Sequence, residues 1–310
     1  MEKNEFTYSS TDGKSRVHAI EWVPMAAPVG VLQIVHGMQE YIGRYDRFAR
    51  FMAENGFVVT GCDLLGHGLT AADKDDLGYF ADEDGNECLI GDIRKLHLLA
   101  RSKYPGIPYF ILGYSMGSFL TMQYIEMYGK DVSGAVLMST GKQSVSGLKF
   151  AMGVCRALAK TRGWRHKSKL LYGISMGKYN ERIENPRTRV DWLTRDEAVV
   201  DAYVNDPLVN FKLTVNGFYN MFRSIELCQS DVNIRRIPKK LPVLLTSGEE
   251  DPVGSYGKGV EAARWQLIKA DMEDVTIKLY TGYRHEILNE LGYDKVEADI
   301  LGWIMEKVEK

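Results

Sequence analysis

Tyr109-Phe110-Ile111-Leu112-Gly113-Tyr114-Ser115-Met116-Gly117-Ser118-Phe119-Leu120-Thr121-Met122 carries a strand, a sharp turn and the start of a helix in one run. Four consecutive bulky apolar residues suit a strand buried on both faces. Phe119, Leu120, Met122 and Tyr124 give the following segment, Met116–Met127, an apolar helical face. Between them lies Gly-x-Ser-x-Gly, in which the glycines relieve crowding and lift a serine above the sheet at the positive end of the helix. The pattern alone is weak: with 30 glycines, and serine at about 7% of residues, chance supplies roughly 0.2 matches.

A second match makes the point. Gly173-Ile174-Ser175-Met176-Gly177 has the same spacing but runs into Lys178-Tyr179-Asn180-Glu181-Arg182, a poor buried helix. Context therefore favours Ser115 and reads Ser175 as a chance match in a lid loop.

Outward from Ser115 the chain alternates. A hairpin is expected from Phe6–Ser10 and Val17–Trp22 around Thr11-Asp12-Gly13. The runs Val31–Val35, Phe57–Cys62 and Ala135–Met138 read as further buried strands, with helical spacing over about Arg44–Asn55 and through Leu89, Ile93, Leu96 and Ala100. Between about 141 and 235 the alternation stops and amphipathic helical patterns take over. It resumes with strand Val243–Leu245, a helix around Val260–Met272, strand Val275–Tyr280 and a helix around Val296–Val308. This is the pattern of an α/β fold with a mostly parallel sheet flanked by helices. Residues 1–140 and 236–310 form the expected core domain, and 141–235 an inserted helical cap over one edge of the sheet.

Sites in such sheets lie beyond the C-terminal ends of the strands. The strand ending at Leu245 leads to Gly248-Glu249-Glu250-Asp251-Pro252, where Asp251 is the candidate acid and Glu249 and Glu250 compete with it. The strand ending at Tyr280 leads to Gly282-Tyr283-Arg284-His285. Only His166, among basic residues of the insertion, otherwise follows the candidate nucleophile, so His285 is the candidate base. The chain order Ser, Asp, His is that of the α/β-hydrolase triad. A developing oxyanion needs N–H donors, and the backbone amides of Met38, after the first parallel strand, and Met116 are placed to supply them.

These residues resemble the monoacylglycerol lipase and lysophospholipase branch of the α/β-hydrolase superfamily. His36-Gly37-Met38-Gln39-Glu40-Tyr41-Ile42-Gly43-Arg44-Tyr45 is similar to its His-Gly-x-x-Glu-His-x-x-Arg-Tyr segment. Asp63-Leu64-Leu65-Gly66-His67-Gly68 is similar to its Asp-x-x-Gly-His-Gly loop, and Arg284-His285-Glu286-Ile287-Leu288-Asn289-Glu290 to its histidine segment. Asp206-Pro207-Leu208 falls where the branch often has that tripeptide. The resemblance implies an eight-stranded sheet with a helical cap, ester hydrolysis without a cofactor, a triad of Ser115, Asp251 and His285, and oxyanion amides at Met38 and Met116. Tyr114, Ser118, Met38, Gln39 and Tyr41 depart from the branch pattern, which bears on pocket shape rather than on catalytic groups.

Composition narrows the function classes. Net charge is −2, so no broad basic surface for nucleic acid is expected. Cys62, Cys88, Cys155 and Cys228 are scattered without a Cys-x-x-Cys pair, which argues against a zinc site or a disulfide framework. No metal is expected: His36 and His67 read as loop hydrogen-bonding residues, and the acidic run from Asp73 to Asp84 as a solvated loop. With no apolar leader after Met1, the expected compartment is the cytoplasm. A cap rich in Met, Phe, Trp and Leu points to a small-molecule ester with a medium- to long-chain acyl group. The alternatives are a broad carboxylesterase, a peptidase or amidase on the same scaffold, and a non-catalytic ligand-binding homologue. Apolar positions in 147–160, beside Lys160, Arg162, Arg165, Lys167 and Lys169, leave room for transient contact between the cap and a membrane surface.

Overall fold

The computed structural model describes residues 1–209 and 211–308. Its eight strands, in chain order, are β1 (Glu2–Ser9), β2 (Arg16–Val23), β3 (Gly30–Val35), β4 (Phe57–Cys62), β5 (Tyr109–Tyr114), β6 (Gly134–Met138), β7 (Val243–Gly248) and β8 (Val275–Tyr280). They form one sheet in the order β1-β2-β4-β3-β5-β6-β7-β8. β1 and β2 pair antiparallel with Tyr8 opposite Val17, β2 pairs antiparallel with β4, and β3 to β8 run parallel. The order places β5, which delivers Ser115, in the middle of the sheet.

The core helices are α1 (Asp46–Glu54), α2 (Gly85–Lys103) and α3 (Met116–Tyr128). Between β6 and β7 come α4 (Val145–Arg162), α5 (Lys169–Met176), α6 (Glu197–Asn205), α7 (Val215–Cys228) and the single turn α8 (Asp231–Ile234). The chain ends with α9 (Lys258–Lys269) and α10 (Tyr293–Val308). Two clusters of buried side chains cover the two faces of the sheet, one including Val31, Ile111 and Leu120, the other Leu32, Phe110 and Ile300. Alternation along a strand explains the split: Val31 and Leu32 are neighbours that point to opposite faces. Every residue of β3, β4, β5, β6 and β7 is buried, as the continuous apolar runs require.

Helices α4 to α8 form an excursion between β6 and β7. β6 and β7 are hydrogen-bonded neighbours inside the sheet, so the excursion leaves from its interior and not from an outer strand. Residues of α4, α5 and α7 meet Met116 and Phe119 of α3 over the strand ends. Ser144, Ser168, Asp196 and Thr214 each cap one of these helices by accepting from a backbone N–H of its first turn. We call this helical roof the cap. Among the described residues, no helix is long and apolar enough to cross a membrane.

α3 carries a buried acid. Glu126 is 5% exposed, and its Oε1 has no hydrogen-bond partner among the described residues. Burial, only partly offset by Arg236, pushes its carboxyl up to about 9 from an ordinary 4.5. The unfolded chain ionises this group above pH 4.5 and the folded chain only above about 9. The folded state therefore holds the extra proton across that interval, and stability falls as pH rises through it, by about 1.4 kcal/mol per pH unit from this group. Glu126→Gln is expected to raise stability by a few kcal/mol near pH 8 and by little at pH 5. Urea midpoints at the two pH values measure this, and an equal gain at both would refute it.

Candidate active site

Ser115 sits at the junction of β5 and α3 with φ 52° and ψ −118°. A left-handed φ is costly for a residue with a side chain and persists only where the surroundings impose it. Here they do. A Cβ on Gly113 would lie 2.2 Å from the Gly117 carbonyl oxygen, and one on Gly117 would lie 2.1 Å from the Val35 carbonyl oxygen. The turn closes only because both positions are glycine. The Ser115 amide donates to the Met138 carbonyl at 2.9 Å, which ties the turn to β6.

His285, after β8, brings Nε2 to 2.8 Å from Ser115 Oγ, across 170 residues of sequence. Its Nδ1 lies 2.8 Å from Asp251 Oδ1. That contact has the distance of an ion pair, but its angle falls short of an aligned hydrogen bond. Such contacts often align only when substrate arrives. Asp251 is wholly buried. Its Oδ2 accepts from Ser247 Oγ at 2.9 Å and its Oδ1 from the Val253 amide at 2.8 Å, so the carboxylate cannot turn away. The His285 carbonyl accepts from Ser139 Oγ at 2.5 Å, and its ring is flanked by Trp192 at 4.8 Å and Tyr114 at 5.0 Å.

The competing readings separate cleanly. Glu250 is exposed and Glu249 half-buried, and neither carboxylate meets His285. His166 is tied into the cap, where its backbone carbonyl accepts from Val215. Ser175 is not in a loop: it lies within α5, and its hydroxyl donates back to the Leu171 carbonyl at 2.9 Å. It nevertheless lines the same cavity as Ser115, as do Met38 and Met116. His36 and His67 serve the loops. His36 Nε2 accepts from the Leu64 amide at 2.9 Å. Burial, reinforced by neighbouring His36, pushes His67 down to about 3 and leaves it neutral.

In one arrangement Glu40 does both things its sequence position allows, supporting the turn after β3 and pairing with a cation. Arg44 is inside the protein, where it binds both carboxylate oxygens of Glu286 at 2.9 and 2.8 Å and also Glu40 at 2.9 Å. Glu40 in turn accepts from the Gly37 amide and from Tyr45 Oη. The cluster thus joins the turn after β3 to the residue following His285. Burial would raise both carboxyls; the two-pronged contact with Arg44 holds Glu286 below its ordinary value, whereas burial prevails at Glu40. The two motif segments contain Glu40, Arg44 and Glu286, but only the fold brings Glu286 to Arg44.

The cavity at Ser115 has a volume of about 240 Å³ and lies between α3 and the cap. Its walls are mostly apolar, with Gln143, Ser144, Ser175 and Tyr179 as neutral polar groups beside Ser115, and among the described residues no charged side chain lines it.

A family model described as serine aminopeptidase, S33, matches residues 26–292. This chain belongs to that hydrolase family. It is 28% identical over 303 residues to a monoacylglycerol lipase of Mycolicibacterium smegmatis, covering 98% of this chain and 97% of the relative. It is 24% identical to the monoglyceride lipase of Rattus norvegicus over 93% of this chain and 86% of that one. Among solved structures it matches a thermostable carboxyl esterase from Bacillus coagulans in complex with glycerol, at a TM-score of 0.92 and 31% identity over 99% of both chains. The fold is that of the α/β-hydrolases, in the branch that contains the monoacylglycerol lipases.

Proposed function

We propose that this hydrolase cleaves uncharged carboxylic esters through an acyl-enzyme on Ser115. The observation that carries the reading is the 2.8 Å contact between His285 Nε2 and a strained Ser115 hydroxyl at the edge of an apolar cavity. In the first step Ser115 Oγ bonds to the ester carbonyl carbon while its proton passes to His285 Nε2. The carbonyl electron pair moves onto oxygen, where the amides of Met38 and Met116 receive it. Asp251 holds the imidazole in its working tautomer. The tetrahedral adduct collapses as His285 gives the proton to the leaving alcohol, and water repeats the sequence to release the acid. No cofactor takes part in these steps. The complete triad argues against a ligand-binding homologue that has lost activity.

The lining narrows the substrate. An aminopeptidase must pair its substrate's ammonium group, and among the described residues no Asp or Glu lines the cavity. A phosphate-bearing head group likewise finds no Arg or Lys there, so a neutral alcohol such as glycerol suits the site better than a charged head group. At about 240 Å³ the cavity lies below the roughly 300–1,000 Å³ usual for ligand sites, which favours medium-chain over long-chain acyl groups. The cap's outer face exposes Phe150 and Leu170 among Lys149, Lys160, Arg162 and Lys169, a surface suited to brief contact with anionic lipid. Free buried thiols at all four cysteines suit a reducing, cytoplasmic setting.

The experiment is a comparison of monoacylglycerol, lysophosphatidylcholine and ethyl ester at each of several acyl lengths. Medium-chain monoacylglycerol and ethyl ester are expected to exceed the lysophospholipid at least tenfold in kcat/KM. Equal or greater turnover of the lysophospholipid would overturn the neutral-substrate reading. Equal turnover of an aminoacyl anilide would overturn the ester reading.

A further inference from the structure

Gln39 stands in the turn between β3 and α1, one residue after the Met38 amide, with φ 59°. A side-chain-bearing residue in that region relaxes unless something outside the turn holds it. The holding groups come from the cap. The Gln39 side-chain amide donates to the Phe211 carbonyl. Its backbone carbonyl accepts from Tyr203 Oη at 3.1 Å. The adjacent Tyr41 donates from its hydroxyl to Asp206 Oδ2 at 2.9 Å. From the other side, Glu40 is fixed by Gly37, Arg44 and Tyr45. The turn that carries Met38 is thus clamped between the core and three cap residues, Tyr203, Asp206 and Phe211.

We infer that Gln39 is a positioning residue through which the seated cap holds the oxyanion turn in shape, an inference that rests on the acyl-enzyme reading above. Gln39 touches no reacting atom; it acts through the Met38 amide. The cap then does more than wall the acyl pocket: its position sets how well a negative oxygen is received at Ser115.

The test compares two inhibitors with the same acyl chain. A trifluoromethyl ketone adds Ser115 Oγ to its carbonyl carbon, sends the serine proton to His285 and places a negative oxygen where the Met38 amide points. The matching secondary alcohol fills the same cavity without forming an oxyanion. Gln39→Ala is expected to weaken the ketone about 10- to 100-fold, less than the roughly 100- to 1,000-fold of losing an oxyanion donor outright because the amide stays and is only misplaced, and to lower kcat in step. Affinity for the alcohol, and KM, are expected to stay within about twofold. Equal loss for both inhibitors would assign Gln39 to pocket shape alone, and no loss for either would show that the turn holds without the cap; both results overturn the inference. If Gln39→Ala does not fold, Tyr203→Phe removes the hydroxyl from the Gln39 carbonyl while keeping the ring stacked on Arg44, and the same comparison applies with a smaller shift. Failure of the ketone to attach to Ser115 of the unmodified protein would instead sink the acyl-enzyme reading.

Discussion

Ser115→Ala is expected to lower kcat for ester hydrolysis by about four to six orders of magnitude, while Ser175→Ala keeps kcat within a few-fold. Both serines line one cavity and both sit in Gly-x-Ser-x-Gly, so the pair is a controlled comparison. Only Ser115 has a histidine nitrogen within reach, His285 Nε2 at 2.8 Å. Only Ser115 stands at the open start of a helix, with φ 52°. The Ser175 hydroxyl is spent on the Leu171 carbonyl inside α5, and donating there leaves it no partner to take its proton. Its loss alters the wall of the pocket and belongs in KM. Steady-state kinetics on a chromogenic medium-chain ester, with active-site titration by a phosphonate, would decide. Retained hydrolysis in Ser115→Ala, or collapse in Ser175→Ala, would reverse the assignment.

Asp251→Asn is expected to cost about 10³- to 10⁴-fold in kcat with the fold intact. The carboxylate faces His285 Nδ1 at 2.8 Å and requires that nitrogen to carry the proton, which leaves Nε2 free to accept from Ser115. An amide can present N–H instead, which favours the opposite tautomer and a protonated Nε2 that cannot act as base. With its N–H turned to His285 in place of Oδ1, the asparagine keeps an oxygen for Ser247 Oγ but leaves the Val253 N–H without its acceptor, so a modest drop in thermal midpoint is expected while the fold stays intact. Glu249→Gln and Glu250→Gln, whose side chains do not meet His285, should stay within about twofold. A loss of activity in Glu249→Gln comparable to that in Asp251→Asn would show that the acid is misassigned.

The contrast between those carboxylates shows where sequence reading ends. Of the three acidic residues in a row after β7 the sequence favours Asp251, but no local argument shows which one faces His285. In the structure the amides of Glu249 and Glu250 pair with the carbonyls of Tyr280 and Tyr283, and the backbone then turns so that the third carboxylate alone points inward. Ser175 teaches the same lesson in reverse. Its flanking residues correctly deprive it of a strand-turn-helix setting, yet nothing local shows that α5 turns it toward the cavity. The Arg44 cluster is the extreme case. An arginine buried between two glutamates contradicts the expectation for a charged residue, and its partner Glu286 lies 242 positions away.

By itself the sequence determined the strands, most helices of the core and the candidate serine, acid and histidine. Those features rest on periods of two and 3.6 residues and on glycines whose hydrogen is the only side chain the turn can hold. Where the cap sits, which carboxylate meets His285, and how the turn bearing Met38 is clamped were decided only by the tertiary structure. Each depends on which surfaces are brought within a few ångströms by packing a sheet of eight strands, and no short window of sequence contains both partners.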